Sequence, residues 1–147
     1  MAQVAGITRI KISNSFTADC PGREIFNHIT SRWALLILAS LSENPMRFHV
    51  LRDRVDGISE KMLSQTLKTL CRDGLVHRSV EATVPPQVTY TLTALGNELA
   101  DHFSAVIKWM GLRVPDILVA QVHYDQGTPG RFLEFNDLNP KNLAVQK

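Results

Sequence analysis

Two groups of residues in this 147-residue chain have the types and spacing to do chemistry. The first is Cys20-Pro21-Gly22-Arg23. Proline favours the first position of a helix, where its missing N–H would have no partner anyway. That puts Cys20 at the helix start, where unpaired N–H groups carry partial positive charge and favour a thiolate. Arg23 adds to this, and an accessible thiolate is what oxidants and electrophiles attack. The plainer alternative is a small residue that packs the helix end. The second group lies in "EKMLSQTLKTLCRD". Lys61, Gln65, Lys68 and Arg72 recur at i, i+4, i+7 and i+11 with Ser64 beside them, opposite an apolar face of Leu63, Leu67 and Leu70. Lysines on such a face neutralise phosphates, and Ser64 and Gln65 have the donors and acceptors to meet base edges.

Both groups need helices to hold them, and the chain supplies the signals. A first helix is expected from Pro21 to about Ile29. A second, apolar nearly all round and therefore central, runs from about Ser31 to Leu41 and stops at "SENP", because a residue before proline avoids the helical region. "RFHVLRDRV" fits a third helix, with Phe48, Leu51 and Val55 on one face. "DGIS" is a turn, Ser59 an N-cap for the basic helix, and Gly74 its C′ residue. Two runs of period-two alternation follow, "VHRSVE" and "QVTYTL", rich in β-branched and aromatic residues. The "ATVPP" between them is too long and too proline-rich for a two-residue turn, so the hairpin has an extended tip. Thr93 caps a long helix whose stripe is Leu95, Leu99, Phe103, Val106 and Met110. Pro115 bends or restarts that helix, which continues to about Val122 or Tyr124. Residues 1–19 form an arm, 20–126 the folded body and 127–147 a tail.

Composition bounds the rest. Apolar residues make up 44% and charged residues 20%, as in an ordinary globular domain, and no apolar run reaches membrane-spanning length. Net charge is only +2, yet seven basic and four acidic residues between Arg47 and Arg78 concentrate an excess of +3 there. Two cysteines make no disulfide framework, which fits the cytoplasm. A Cys20–Cys71 bond, within or between subunits, stays open, as does Cys71 as a half-buried small residue. His28, His49, His77, His102 and His123 show no ligand spacing with cysteine or acidic residues, so no metal and no cofactor are expected. His49 and His77 are within reach of a phosphate, and Trp33 belongs to the core.

Helices, a two-stranded hairpin and a long amphipathic helix, in that order, make a mainly α, winged helix-turn-helix fold, in which the second helix of the pair enters the major groove. The sequence resembles the HxlR-type transcriptional regulators, relatives of the MarR winged-helix proteins, from Cys20 to about Leu99. The likeness is carried by "CPGREIFNHITSRWALLILASL", "MRFHVLRDRVDGISEKMLSQTLKTLCRDGLVHRSV" and "VPPQVTYTLTALG". It implies a dimeric regulator, a repressor on a palindromic double-stranded DNA operator. Its recognition helix would be 59–73 and its wing 81–87. The DNA contacts would be Arg47, Ser59, Lys61, Ser64, Gln65, Lys68, Arg72, Arg78, Pro85, Pro86 and Gln87. Dimer contacts would come from 16–29 and 95–122, among them Phe16, Leu99, Phe103, Val106, Met110 and Ile117. Trp109, Val114 and Leu118 are likewise surplus to one short domain.

The resemblance also implies a sensing role for Cys20 toward oxidants, quinones or aldehydes, since several branches carry a cysteine before this proline. The chain departs from the pattern at "TSRW", where many members have "GGKW", at Gln87, where Arg or Lys is frequent, and at Thr89, where Glu is frequent. Those changes put strong wing–phosphate contact in doubt. Three alternatives compete. One is a regulator with a small-ligand pocket in the dimer and a structural Cys20. Another is a thiol enzyme, for which only His28, two turns on, offers a base. The third is a winged helix used for protein contacts alone, which a basic recognition face disfavours.

Overall fold

The computed structural model describes residues 20–127. Phe16, the arm and the tail from residue 128 onward lie outside them. The chain divides into two units, one ending at Ala105 and the other beginning at Val106.

In the first unit, α1 spans Pro21–Ile29 and α2 spans Arg32–Glu43. The Ser31 hydroxyl caps α2 by accepting the Ala34 N–H at 3.2 Å. Strand β1 is only Met46–Arg47, and α3 follows at once as Phe48–Arg54. The basic helix α4 runs Glu60–Arg72, then come β2 (Val76–Glu81), β3 (Gln87–Leu92) and α5 (Ala94–Asp125). The hairpin is therefore part of a three-stranded antiparallel sheet of order β1-β3-β2. Val76 faces Leu92 and Glu81 faces Gln87 across β2–β3, while Met46 faces Tyr90 and Arg47 faces Thr89 across β1–β3. The "RFHVLRDRV" pattern puts Arg47 in the third helix. It stands instead in β1, because Pro45 leaves the chain extended and β3 has an open edge to pair with.

Ile37, Leu38, Leu51, Leu63, Leu67 and Leu70 are fully buried, so α2 is the central helix and α3 and α4 pack on it. Trp33, Phe48, Cys71, Leu99 and Phe103 close the edges of this core. The Arg32 guanidinium stacks 4.2 Å from the Trp33 ring centroid.

The end of α4 is fixed by two backbone bonds. The Leu75 N–H reaches back to the Leu70 carbonyl and the Gly74 N–H to that of Cys71. This closure needs a left-handed residue at C′, and Gly74 supplies it with φ +74°. Thr93 then caps α5: its hydroxyl oxygen accepts the Gly96 N–H at 3.0 Å and donates to the Gly74 carbonyl at 2.6 Å. One threonine thus ties the end of the basic helix to the start of the last one.

Helix α5 continues as helix through Pro115. The expected stripe divides along it. Leu99 and Phe103 pack partly against the core, Leu95 is exposed, and the buried residues of the helix are Gly96 and Ala100. In the second unit Ile107 is half-buried, and exposed apolar residues of α5 include Val106, Trp109, Met110, Leu112, Ile117 and Leu118. An Arg113–Asp116 pair at 3.2 Å lies between them. Among the described residues no helix is long and apolar enough to cross a membrane.

Candidate nucleic-acid interface

The interface is built on α4. Ser59 takes extended backbone angles, and its hydroxyl accepts the Met62 N–H at 3.1 Å, satisfying one of the free donors of the first turn. With Leu63, Leu67 and Leu70 held in the core, the helix turns Lys61, Ser64, Gln65, Lys68 and Arg72 outward, all exposed. The turn before it spans only residues 55–59, so α3 and α4 make a tight helix-turn-helix.

The cations near α4 have separate partners. Arg52 holds Glu60 at 2.5 Å and Asp53 at 3.1 Å, and those two carboxylates, Glu60 first, keep its guanidinium protonated beyond its ordinary range. Arg54 binds Glu43 at 2.5 Å, which fastens α3 to the end of α2. Arg72 stands 3.7 Å from Glu24 of α1. Lys61, Lys68 and Arg78 have no ion-pair partner among the described residues, so their charge faces solvent.

The wing lies beyond the sheet. Five residues, 82–86, join β2 to β3, and all are exposed. The Thr83 hydroxyl donates to the Pro85 carbonyl at 2.9 Å, and the Val84–Pro85 peptide is cis. At the root of the wing the Arg47 guanidinium donates to the Gln87 side-chain oxygen. Two residues forty positions apart, each read separately as a DNA contact, are thus one unit. β2 leaves the core after Val76, and Arg78 and Val80 on that face are exposed.

Cys20 stands at the N-cap of α1, with φ −83° and ψ 130°, half-buried, its side chain making no cap hydrogen bond. Its carbonyl accepts the Arg23 N–H at 2.8 Å. Cys71 is also a free, half-buried thiol. Burial pushes its pKa up, and Arg78 nearby opposes this in part.

The histidine spacing bears only on metal ligation, and it leaves a structural contact unread: His28 Nδ1 lies 2.7 Å from Asp73 and Nε2 lies 3.8 Å from Glu24. An ionised carboxylate only accepts, so Nδ1 is the donor. The pair ties α1 to the residue that closes α4. Forty-five positions separate the partners, and no local pattern encodes that. Among the described residues no group of three or more His, Cys, Asp or Glu side chains is placed to hold a metal ion.

A helix-turn-helix with an exposed basic second helix and a β-hairpin wing beside it defines the winged-helix DNA-binding class. Comparison with known proteins carries this to the family. The description "HxlR-like helix-turn-helix" matches residues 28–116, and the chain belongs to that family. An uncharacterized HTH-type transcriptional regulator of Escherichia coli (strain K12), YtfH, is 41% identical over 121 residues, covering 82% of this chain and 96% of its own. A solved Salmonella typhimurium chain, ytfH, assigned as a transcriptional regulator, is 42% identical with a TM-score of 0.69, over 72% of this chain and 95% of that one. The redox regulator HypR, in its oxidized form, is 30% identical with a TM-score of 0.58, over 63% of this chain and 95% of that one. The protein is a winged helix-turn-helix transcriptional regulator, and DNA is the partner its family implies.

Proposed function

We propose that this chain is a cytoplasmic, homodimeric repressor that binds a palindromic operator and loses it when Cys20 is oxidised or alkylated. The observation that carries the reading is the exposed row Lys61, Ser64, Gln65, Lys68 and Arg72 on a helix whose opposite face is fully buried. Arg47, Ser59, Arg78, Pro85, Pro86 and Gln87 extend the contact along the turn and the wing. The dimer would bury the exposed apolar residues of α5, including Val106, Met110 and Ile117, with Leu99 and Phe103 contributing their remaining exposed surface. Such two-fold pairing sets two recognition helices about one DNA turn apart. Cys20 supports the sensing role by its place at the α1 N-cap, and the likeness to HypR supports the class of signal. A displacement of α1 reaches α4 through His28–Asp73 and Glu24–Arg72.

The test is a mobility shift on the DNA flanking the gene, with and without diamide, for the wild type and Cys20→Ser. Retarded DNA that diamide releases in the wild type and not in Cys20→Ser supports the reading. Release in both variants removes Cys20 from it. Equal affinity from 50 to 200 mM salt removes the phosphate contacts, since each neutralised phosphate steepens the salt dependence by about 0.9 in the log–log slope.

One observation favours a second reading. A cavity of about 330 Å3 lies between Ile25 and Ile29 of α1, Leu75, and Leu95 and Leu99 of α5, with Asp73, Glu98 and His102 as its polar groups. In this reading a small apolar effector occupies it and Cys20 is structural. Thermal stabilisation by such a ligand, together with a diamide-insensitive wild type, would select it.

A further inference from the structure

The recognition helix has one side whose hydroxyl donors are all used within the helix. Met62, Thr66 and Thr69 follow each other at i, i+4 and i+7 along α4. The Thr66 hydroxyl donates to the Met62 carbonyl at 2.8 Å, and the Thr69 hydroxyl to the Gln65 carbonyl at 3.2 Å. Both donors are therefore used inside the helix. Met62 heads this column in the first turn and is 39% exposed, though the core beneath is already filled by Leu63, Leu67 and Leu70. Its N–H is pinned by Ser59, so its backbone position is set. Glu60, two residues nearer the N-terminus, has its carboxylate on Arg52.

The N-terminal residues of a recognition helix are those that meet base edges. In the major groove the apolar group that a base pair presents is the C5-methyl of thymine. Methionine suits such a contact, because an unbranched, polarizable side chain adapts its shape to a small apolar partner. We propose that Met62 is a specificity-determining residue that reads a thymine methyl group in each operator half-site. This rests on the reading of α4 as the DNA-contacting helix.

The experiment starts from an operator selected from random duplexes with the full chain. Each thymine of the bound sequence is then replaced singly by deoxyuridine, which deletes the methyl group and nothing else. At one thymine per half-site the wild type should bind roughly fourfold more weakly, the effect of one methyl group left in water. Met62→Ala should lose that sensitivity at that position alone, and Met62→Leu should keep it. Alanine is a strong helix former, so the fold should persist, and a thermal melt checks it. A wild type indifferent to every methyl deletion overturns the proposal, as does a Met62→Ala profile that matches the wild type. Failure of the underlying reading looks different: no sequence is enriched, or Lys61→Ala and Gln65→Ala bind as tightly as the wild type. That result overturns the proposal along with the reading it rests on.

Discussion

Gly96→Ala tests how closely α5 approaches the end of the recognition helix. A Cβ built on Gly96 would lie 2.0 Å from the Leu75 carbonyl oxygen, 3.0 Å from its carbon and 3.3 Å from a Leu92 methyl. The carbonyl has little freedom to retreat, because it accepts the Thr93 N–H at 3.1 Å and lies 3.2 Å from the Thr93 hydroxyl oxygen that bonds the adjoining Gly74 carbonyl. Moving it disturbs the bonds that close α4 and cap α5. Inside a helix alanine is better than glycine by about 0.5–1 kcal/mol. Forcing an extra carbon into a packed site costs about 1–3 kcal/mol, and a contact against backbone belongs at the upper end. The net is a loss of about 2–2.5 kcal/mol, which in a chain of this size lowers Tm by roughly 4–10 °C. Gly111 is the control, since nothing lies within 4 Å of its Cβ position. Gly111→Ala should raise stability by about 0.5–1 kcal/mol. Urea and thermal denaturation of the three proteins give the comparison. A Gly96→Ala variant that melts at or above the wild-type temperature refutes the close approach.

Three further outcomes follow from the same geometry. Ser59→Ala should cost about 1 kcal/mol of stability by removing the α4 cap, and Ser59→Asp should keep most of it, measured by urea denaturation. Leu118→Glu, at an exposed site, should turn the proposed dimer into a monomer in light scattering while keeping its helical circular dichroism; a dimer mass in both proteins would remove the α5 interface. Cys71 should alkylate more slowly in the native protein at neutral pH than in urea, because burial raises its pKa and lowers its thiolate fraction. The sign for stability follows. Above the ordinary thiol pKa the unfolded chain gives up this proton while the folded chain keeps it, so the contribution of Cys71 falls as pH rises.

The elements legible in the sequence are those with local chemistry. Proline after Cys20 marks the start of α1, and the observed Pro21–Ile29 span agrees. Ser59, the three leucines and Gly74 bound α4, and "ATVPP" gives the wing its long tip. What stayed hidden depends on residues far apart in the chain. Strand β1 is two residues long, too short for any period, and exists because β3 has an edge to offer. Gly96 reads as an ordinary helix residue until Leu75 is placed against it. The stripe on α5 is real as a period, but the core takes Ala100 and part of Leu99 and Phe103 and leaves Leu95 out.

Charge shows most clearly why composition underdetermines a site. Counted along the chain, the segment from Arg47 to Arg78 carries an excess of +3 spread over seven cations. In space, Arg52 and Arg54 serve to hold α3 against Glu60 and Glu43, and Arg47 is engaged with a neutral glutamine. Exposed ion pairs of this kind add little to stability, typically below about 1 kcal/mol each. What they do is offset carboxylate charge beside α4: Glu60, the residue before Lys61, has its carboxylate on Arg52. The arginines and lysines of this segment left without an ionic partner among the described residues, or a hydrogen-bonded one, are then Lys61, Lys68 and Arg78, with Arg72 only loosely paired, and these are the groups the proposed phosphate contact would use. A modest net charge is compatible with a local excess of free cations, because Arg52 and Arg54 take up the charges of Asp53, Glu60 and Glu43 and leave Lys61, Lys68 and Arg78 without an ion-pair partner among the described residues.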